Sequence, residues 1–350
     1  MSNGTAVGSQ DNEQWVQVTA SQGSIPRLDL GDPELSAWVT EKMEDVEELL
    51  RNDVASGADF VADKVAHLFE AGGKRFRPMF ALLASQYGPE PGSLNVQRAG
   101  AIVEMTHLAT LYHDDVMDEA EKRRGVESAN HRWNNSVAIL AGDILLAYTS
   151  RMMGQLGVET VQHFATTFEQ LVTGQMRETV GPRGGDPVEH YLNVIREKTG
   201  VLIAAAGYLG ALHSGADKQH IKAVERYGEA VGMVFQIVDD IIDIFSDSSQ
   251  SGKTPGTDLR EGVFTLPVLY ALREEGEVGD ELRARVTGPV ADEDVPEIIA
   301  LLERSGGRAR AKQDIEHYLA EAENALSELP QNKVTEALRT LAQLTAGRVG

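Results

Sequence analysis

From Pro33 onward, apolar residues recur at three- and four-residue spacing, broken by Gly, Pro and polar clusters, and no run of alternating β-branched residues reads as a strand. That periodicity restricts the chain to helices. Asp32 followed by Pro33 reads as an N-cap and first helical residue, and the pattern predicts helices over 33–53, 57–70, 74–87, 94–117, 133–153, 157–178, 187–212, 217–245, 263–273, 292–304, 306–324 and 330–346. No internal Pro/Gly/Ser linker is long enough to force a boundary, so residues 32–350 are expected to form a single all-α domain, with 1–31 as a flexible arm. The loops expected at 124–132, 181–187 and 246–262 each adjoin a charged cluster.

With 350 residues, 42% of them hydrophobic, the chain can bury a sizeable core. Its formal charge of -22 argues against non-specific binding to nucleic acid or anionic lipid, so an anionic ligand must be held locally by clustered cations or metal. Cysteine is absent, which removes disulfides, thiolate nucleophiles and zinc–cysteine sites and makes a reducing cytoplasm the simplest location. The N-terminal stretch has neither the cationic and apolar regions of a signal peptide nor an Arg-rich transit pattern. Apolar stretches such as 201–212 are too short to span a bilayer, so any membrane contact is expected to be peripheral.

Two aspartate triplets carry the chemistry. Asp114, Asp115 and Asp118 end one apolar helix, and the same D-D-x-x-D spacing returns as Asp239, Asp240 and Asp243 inside "VGMVFQIVDDIIDIF". Residues four apart share a helix face and the intervening one lies about 100° round, so each triplet converges on one region. Unpaired charge is costly there, whereas grouped hard oxygen ligands suit Mg²⁺ that also binds substrate phosphate. A single triplet could equally be a solvated helix end; two copies in apolar helices weigh against that. A di-iron carboxylate bundle is a second alternative, because Glu104 and His107 form an E-x-x-H pair, but no other histidine has Glu three residues before it.

In so acidic a chain the placement of cations is informative. "AGGKRFRP" sets Lys74, Arg75 and Arg77 after a Gly pair ending at Gly73, an arrangement suited to diphosphate oxygens, although a basic turn before a helix is commonplace. Arg123 and Arg124 follow the first triplet, Lys198 and Thr199 stand in "REKTG", and Lys253 lies ten residues after Asp243. His107 precedes Asp114 by two turns on one face, which favours a ligand role over plain packing.

"GGKRFRP", "HDDVMDEAEKRRG", "GDILLA", "EKTG", "FQIVDDIIDIF", "GKTPGTDLREG" and "TLP", in this order over about 35–350, closely resemble the trans-isoprenyl diphosphate synthases, or polyprenyl synthetases. The resemblance implies the isoprenoid synthase fold, about ten core helices around a central cavity, usually as a homodimer. It also implies a reaction. An allylic diphosphate ionises, isopentenyl diphosphate attacks the cation, and proton loss gives an allylic product one unit longer, with metal as the Lewis acid.

Carried over, Asp114, Asp115 and Asp118 would bind two Mg²⁺ ions and Asp239 a third, with Asp240 and Asp243 in support. Arg123, Lys198 and Lys253 would contact the allylic diphosphate, and Lys74, Arg77, His107 and Arg124 the isopentenyl diphosphate, with Gly73 allowing close backbone approach. Thr199 and Gln236 would stand beside the allylic carbon. Many bacterial relatives have Lys or Arg after the glycine at 262; this chain has Val263 and so lacks one diphosphate contact. At its C-terminus only Arg348 offers a cation that could close over the site.

In the family, bulky aromatics four or five positions ahead of the first motif stop elongation early. Here those positions hold Thr110 and Ala109. The expectation is a product longer than farnesyl, a long polyprenyl diphosphate for a quinone side chain, with geranylgeranyl diphosphate as the alternative if Met105, Met152 or Tyr208 forms the floor. The small-residue stretch 204–211 could line a deep cavity or pack helices closely. A terpene cyclase would need only one diphosphate site, and a non-catalytic synthase subunit would be expected to lack motif carboxylates, so both fit less well.

Overall fold

The computed structural model describes residues 29–246 and 255–349, and they are almost entirely helical. The helices are α1 (Pro33–Ala55), α2 (Asp59–Glu70), α3 (Phe76–Ser85), α4 (Leu94–Met117), α5 (Ala129–Arg132), α6 (Asn135–Leu156), α7 (Val158–Val180), α8 (Pro187–Ile195), α9 (Val201–His213) and α10 (Lys218–Phe245). They continue as α11 (Thr257–Glu261), α12 (Leu266–Ala271), α13 (Glu277–Arg285), α14 (Val295–Arg304), α15 (Gly307–Ser327) and α16 (Lys333–Gly347). The expected N-cap is present: Asp32 Oδ1 accepts from the Leu35 amide at 2.7 Å. The α1 stripe Leu35, Val39, Met43, Val46, Leu50 and Val54 is buried at the spacing that identified it.

α4 packs chiefly on α6, and α10 on α9 and α15. One core joins α1–α4, α6, α9 and the first half of α10; a second surrounds Met233–Ile241 with α8, α12 and α15; a third lies between the end of α10 and α11–α14. α10 runs through all three. Glycine sets its closest approach: a side chain at Gly232 would begin 2.8 Å from Gly200 Cα, and one at Gly228 would begin 2.9 Å from Ala204 Cα. The 204–211 stretch is likewise a packing seam. A side chain at Gly207 would meet the Phe80 ring at 2.7 Å, and one at Gly210 would meet the Ala81 carbonyl at 2.1 Å.

Local features depart from the expected pattern, among them the short helices α5 and α11 within the loops expected at 124–132 and 246–262. A short antiparallel hairpin, β1 (Lys122–Arg123) with β2 (Val126–Glu127), pairs Lys122 with Glu127 and Arg123 with Val126. The helix expected over 187–212 is interrupted by a π-turn at Arg196–Gly200. α13 was not expected; among its nine residues only Gly279 and Leu282 are buried, too few to show periodicity. Finally, α6 is long and apolar enough to cross a membrane by length and composition. It is a bundle helix here, packed on α4 and α2 and carrying exposed Asp143 and Arg151. The expected arm, 1–31, falls mostly outside the described residues.

Candidate active site

The first triplet ends α4. Asp118 caps the helix, and the chain then reverses through the hairpin, whose turn residues Arg124 and Gly125 both have positive φ, +53° and +80°. The reversal brings Arg123 back along the helix, where its Nε donates to Asp115 Oδ1 at 2.6 Å. Asp115 is fully buried, and its Oδ2 has no hydrogen-bond partner. Burial pushes Asp114 up to about 6, with Lys198 opposing and Asp118 adding to the rise. Asp118 stands exposed at the rim and is also raised, by desolvation against the pull of Lys198.

The second triplet lies in α10. Asp240 is buried; its Oδ1 accepts from Gln236 Nε2 at 3.1 Å, and its Oδ2 is unpartnered. Desolvation, aided by Asp258 and Asp243, holds its carboxyl well above the ordinary range. Asp243 Oδ2 accepts from the Asp258 amide at 3.2 Å, and its carbonyl accepts from the Gly256 amide at 2.7 Å. Asp239 accepts from Arg348 Nη1 at 2.8 Å, so the C-terminal cation expected to close over the site rests on a motif carboxylate.

The π-turn joins the two triplets. Lys198 acts electrostatically on Asp114 and Asp118 and pairs with Glu178 of α7, while the next residue, Thr199, donates to Gln236 Oε1 at 3.2 Å. Thr199, Gln236 and Asp240 therefore form one hydrogen-bonded chain. A side chain at Gly174 would lie 3.0 Å from the Lys198 amide, so α7 presses directly on this turn. π-turns widen a helix locally and often mark functional sites.

The basic pocket lies at the C-terminus of α2, whose last carbonyls need donors. Arg124 Nη1 donates to the carbonyls of Leu68, at 3.1 Å, and Gly72. Gly73 packs on that guanidinium; a side chain there would begin 2.9 Å from Arg124 Cζ. Arg77 Nε is buried without a partner, and desolvation pushes the guanidinium down to about 10 despite Glu104. Burial, then Arg77 and Arg124, hold His107 well below its usual value, hence neutral. Lys74 is exposed nearby in sequence. Glu104 Oε1 accepts from Arg75 Nη1 at 3.0 Å, so the E-x-x-H pair is not a metal-binding unit.

Among the described residues, no three His, Asp or Glu side chains converge closely enough to hold a metal alone. Each triplet nevertheless offers a buried carboxylate oxygen without a partner, and hard oxygens completed by phosphate suit a divalent cation. Two surface grooves, of about 400 Å³ between α15 and α16 and about 300 Å³ between α10 and α15, are lined by no motif residue.

The chain-length positions separate. Thr110 is partly exposed on the Asp114 face, whereas Ala109 is fully buried where α4 meets Gly142 of α6, so Ala109 belongs to a seam rather than an open wall. Lys253 lies outside the described residues. Val263 is 40% exposed, its amide bonded to the Asp258 carbonyl, and supplies no cation. Glu178, outside every quoted motif, and Asp258, within "GKTPGTDLREG" but given no role there, reach the triplets only through the fold.

A family model described as polyprenyl synthetase matches residues 59–302. Nonaprenyl diphosphate synthase of Mycobacterium tuberculosis is 52% identical over 93% of this chain and 98% of its own length. A geranylgeranyl pyrophosphate synthase of Corynebacterium glutamicum, solved with calcium and isoprenyl diphosphate, is 62% identical with a TM-score of 0.86, covering 92% of this chain and all of that one. A decaprenyl diphosphate synthase of Rhodobacter capsulatus superposes at 0.81 with 32% identity, covering 91% of this chain and 99% of the other.

Proposed function

Because this chain belongs to the polyprenyl synthetase family and is a trans-prenyltransferase, we propose that it extends a farnesyl or geranylgeranyl diphosphate primer with isopentenyl diphosphate to a long all-trans polyprenyl diphosphate serving a quinone side chain. The observation that carries the reaction is the bridge formed by the π-turn. It sets Lys198 against the first triplet and links Thr199 through Gln236 to the second, while a basic pocket with an unpartnered Arg77 Nε lies at α2. This arrangement supports distinct seats for two anionic substrates.

Bound Mg²⁺ would supply Lewis-acid stabilisation to the departing diphosphate, held by Asp114, Asp115 and Asp118 on one side and Asp239 on the other, with Asp240 and Asp243 in support. Arg123 and Lys198 neutralise that diphosphate, and Lys253 is assigned the same role. Arg77, Arg124, Lys74 and neutral His107 seat isopentenyl diphosphate, with Gly73 keeping the backbone close. The Thr199 hydroxyl and Gln236 amide orient dipoles toward the allylic cation. No protein nucleophile is needed, and the released pyrophosphate takes the proton.

The long-chain product draws support from the small, partly open Thr110 and from relatives named for nonaprenyl and decaprenyl products. Geranylgeranyl diphosphate is the second reading, favoured by the buried Ala109, by the filled 204–211 seam and by the name of the Corynebacterium structure. Exposed Ile139, Leu140, Val158, Val161, Val172, Met176 and Val180 on α6 and α7 support a homodimer that buries those helices. Incubation with Mg²⁺, labelled isopentenyl diphosphate and farnesyl diphosphate, followed by chromatography, tests the reading. Products beyond geranylgeranyl are expected; arrest there selects the second reading, a hydrocarbon or alcohol indicates a cyclase, and no product a non-catalytic subunit.

A further inference from the structure

Arg75 stands in the middle of the "GGKRFRP" motif yet cannot touch a substrate. It is only 6% exposed, in the left-handed region at φ +49°, where a non-glycine residue is uncommon. Its guanidinium is fully engaged by protein: Nε with Glu47 Oε1 of α1 at 2.5 Å, Nη1 with Glu104 Oε1 of α4 at 3.0 Å, and Nη2 with the Phe69 carbonyl ending α2 at 3.0 Å. The Phe69 ring lies 4.8 Å from its Cζ. Burial opposes its charge, but Glu104 and Glu47 outweigh that effect and hold the guanidinium above its ordinary value.

Glu104 gives the arrangement its significance. Its carboxylate is 2% exposed, lies one turn before His107 on α4, and acts on both Arg77 and Arg124. Left without Arg75 it would be a buried anion with two cations at hand, and would take the pairing they would otherwise offer a ligand. With Arg75 in place, three guanidiniums (Arg75, Arg77, Arg124) stand against two carboxylates (Glu47, Glu104), a balance of plus one. Without Arg75 the balance is zero, and without both Arg75 and Glu104 it returns to plus one.

We propose that Arg75 is a positioning residue for the isopentenyl diphosphate pocket, one that sequesters Glu104 so that Arg77, Arg124 and His107 remain available to the diphosphate. The proposal rests on the reading of those three residues as its ligands. It ties α1, α2 and α4 to the Gly72–Gly73 turn through one side chain, so charge and geometry are set together.

Steady-state kinetics of the full-length enzyme, with isopentenyl and farnesyl diphosphate varied separately, tests it. Arg75→Gln should raise KM for isopentenyl diphosphate about tenfold or more while leaving KM for the allylic substrate within about twofold. Arg75→Gln/Glu104→Gln should recover most of that loss, although it is no more stable by thermal melting; a purely structural role predicts no such rescue. An unchanged isopentenyl KM in Arg75→Gln, or a double variant no better than the single, overturns the proposal. Should Arg75→Gln not fold, Arg75→Lys with and without Glu104→Gln decides by the same comparison of KM. Arg77→Gln and Arg124→Gln serve as controls: if neither weakens isopentenyl diphosphate use, it is the pocket assignment that fails, whatever Arg75 does.

Discussion

The two aspartate triplets have the same spacing and opposite surroundings. The first ends its helix at the rim and already has cations beside it, Arg123 on Asp115 and Lys198 near Asp114 and Asp118. The second is enclosed in the longest described helix, and its central carboxylate, Asp240, has a neutral amide as its partner and two more aspartates as neighbours. The buried carboxylate of the first triplet thus has a cation against it, whereas among the described residues that of the second has none, Arg348 pairing instead with the partly exposed Asp239. Each still leaves one buried carboxylate oxygen without a donor. A cation supplied with the substrate would complete both.

The comparison breaks if either triplet is dispensable. Asp115→Ala and Asp240→Ala are each expected to lower kcat by roughly a thousandfold, as loss of a group acting on developing charge does. Near-normal single-turnover rates in either variant contradict the shared role. A smaller effect separates the two chain-length positions. Thr110→Phe should shorten the product seen by chromatography, whereas Ala109→Phe, at a fully buried site, should cost about 1–3 kcal/mol of stability by overpacking, visible as a lower melting temperature.

The pH dependence sharpens the contrast. Asp114 and Asp240 have folded-state values above the unfolded value of 3.8, so the folded protein binds more protons than the unfolded chain in that range. Their contribution is therefore full below about 4 and is lost as pH rises through the folded values, about 6 for Asp114. Melting without metal should show stability falling as pH rises from about 4 through about 6, and Asp114→Asn and Asp240→Asn should each flatten the slope. Metal binding to the free protein should weaken as pH drops below about 6, because protonated Asp114 is a poor metal ligand. The smallest effect concerns Arg348, which pairs with Asp239. Arg348→Ala should tighten Mn²⁺ binding by about threefold, since an exposed pair is worth under 1 kcal/mol; unchanged affinity would mean that the pair does not compete.

The helical fold was legible because burial follows period: α1 and α4 match their expected ranges to within two residues. The motif aspartates were legible because charge in an apolar helix is costly and needs a reason. The π-turn was not, because "REKTG" continues a helical pattern, and the close contact of Gly174 of α7 with the turn appears only in the fold. Nor was the hairpin, whose two-residue strands are too short for alternation to register. Arg75 read as one more diphosphate cation; only its three partners show that it faces the protein. Ala109 and Thr110 adjoin in sequence but lie about 100° apart on the helix, and sequence alone does not say which faces the cavity.

If the two triplets are halves of one centre, divalent cation and diphosphate must complete it together. Mn²⁺ binding followed by electron paramagnetic resonance, with and without inorganic pyrophosphate, tests it most directly. Pyrophosphate should strongly tighten Mn²⁺ binding in the wild-type protein, and Asp115→Asn and Asp240→Asn should each abolish that gain. Full Mn²⁺ binding without pyrophosphate, or a gain that survives loss of either triplet, would contradict it.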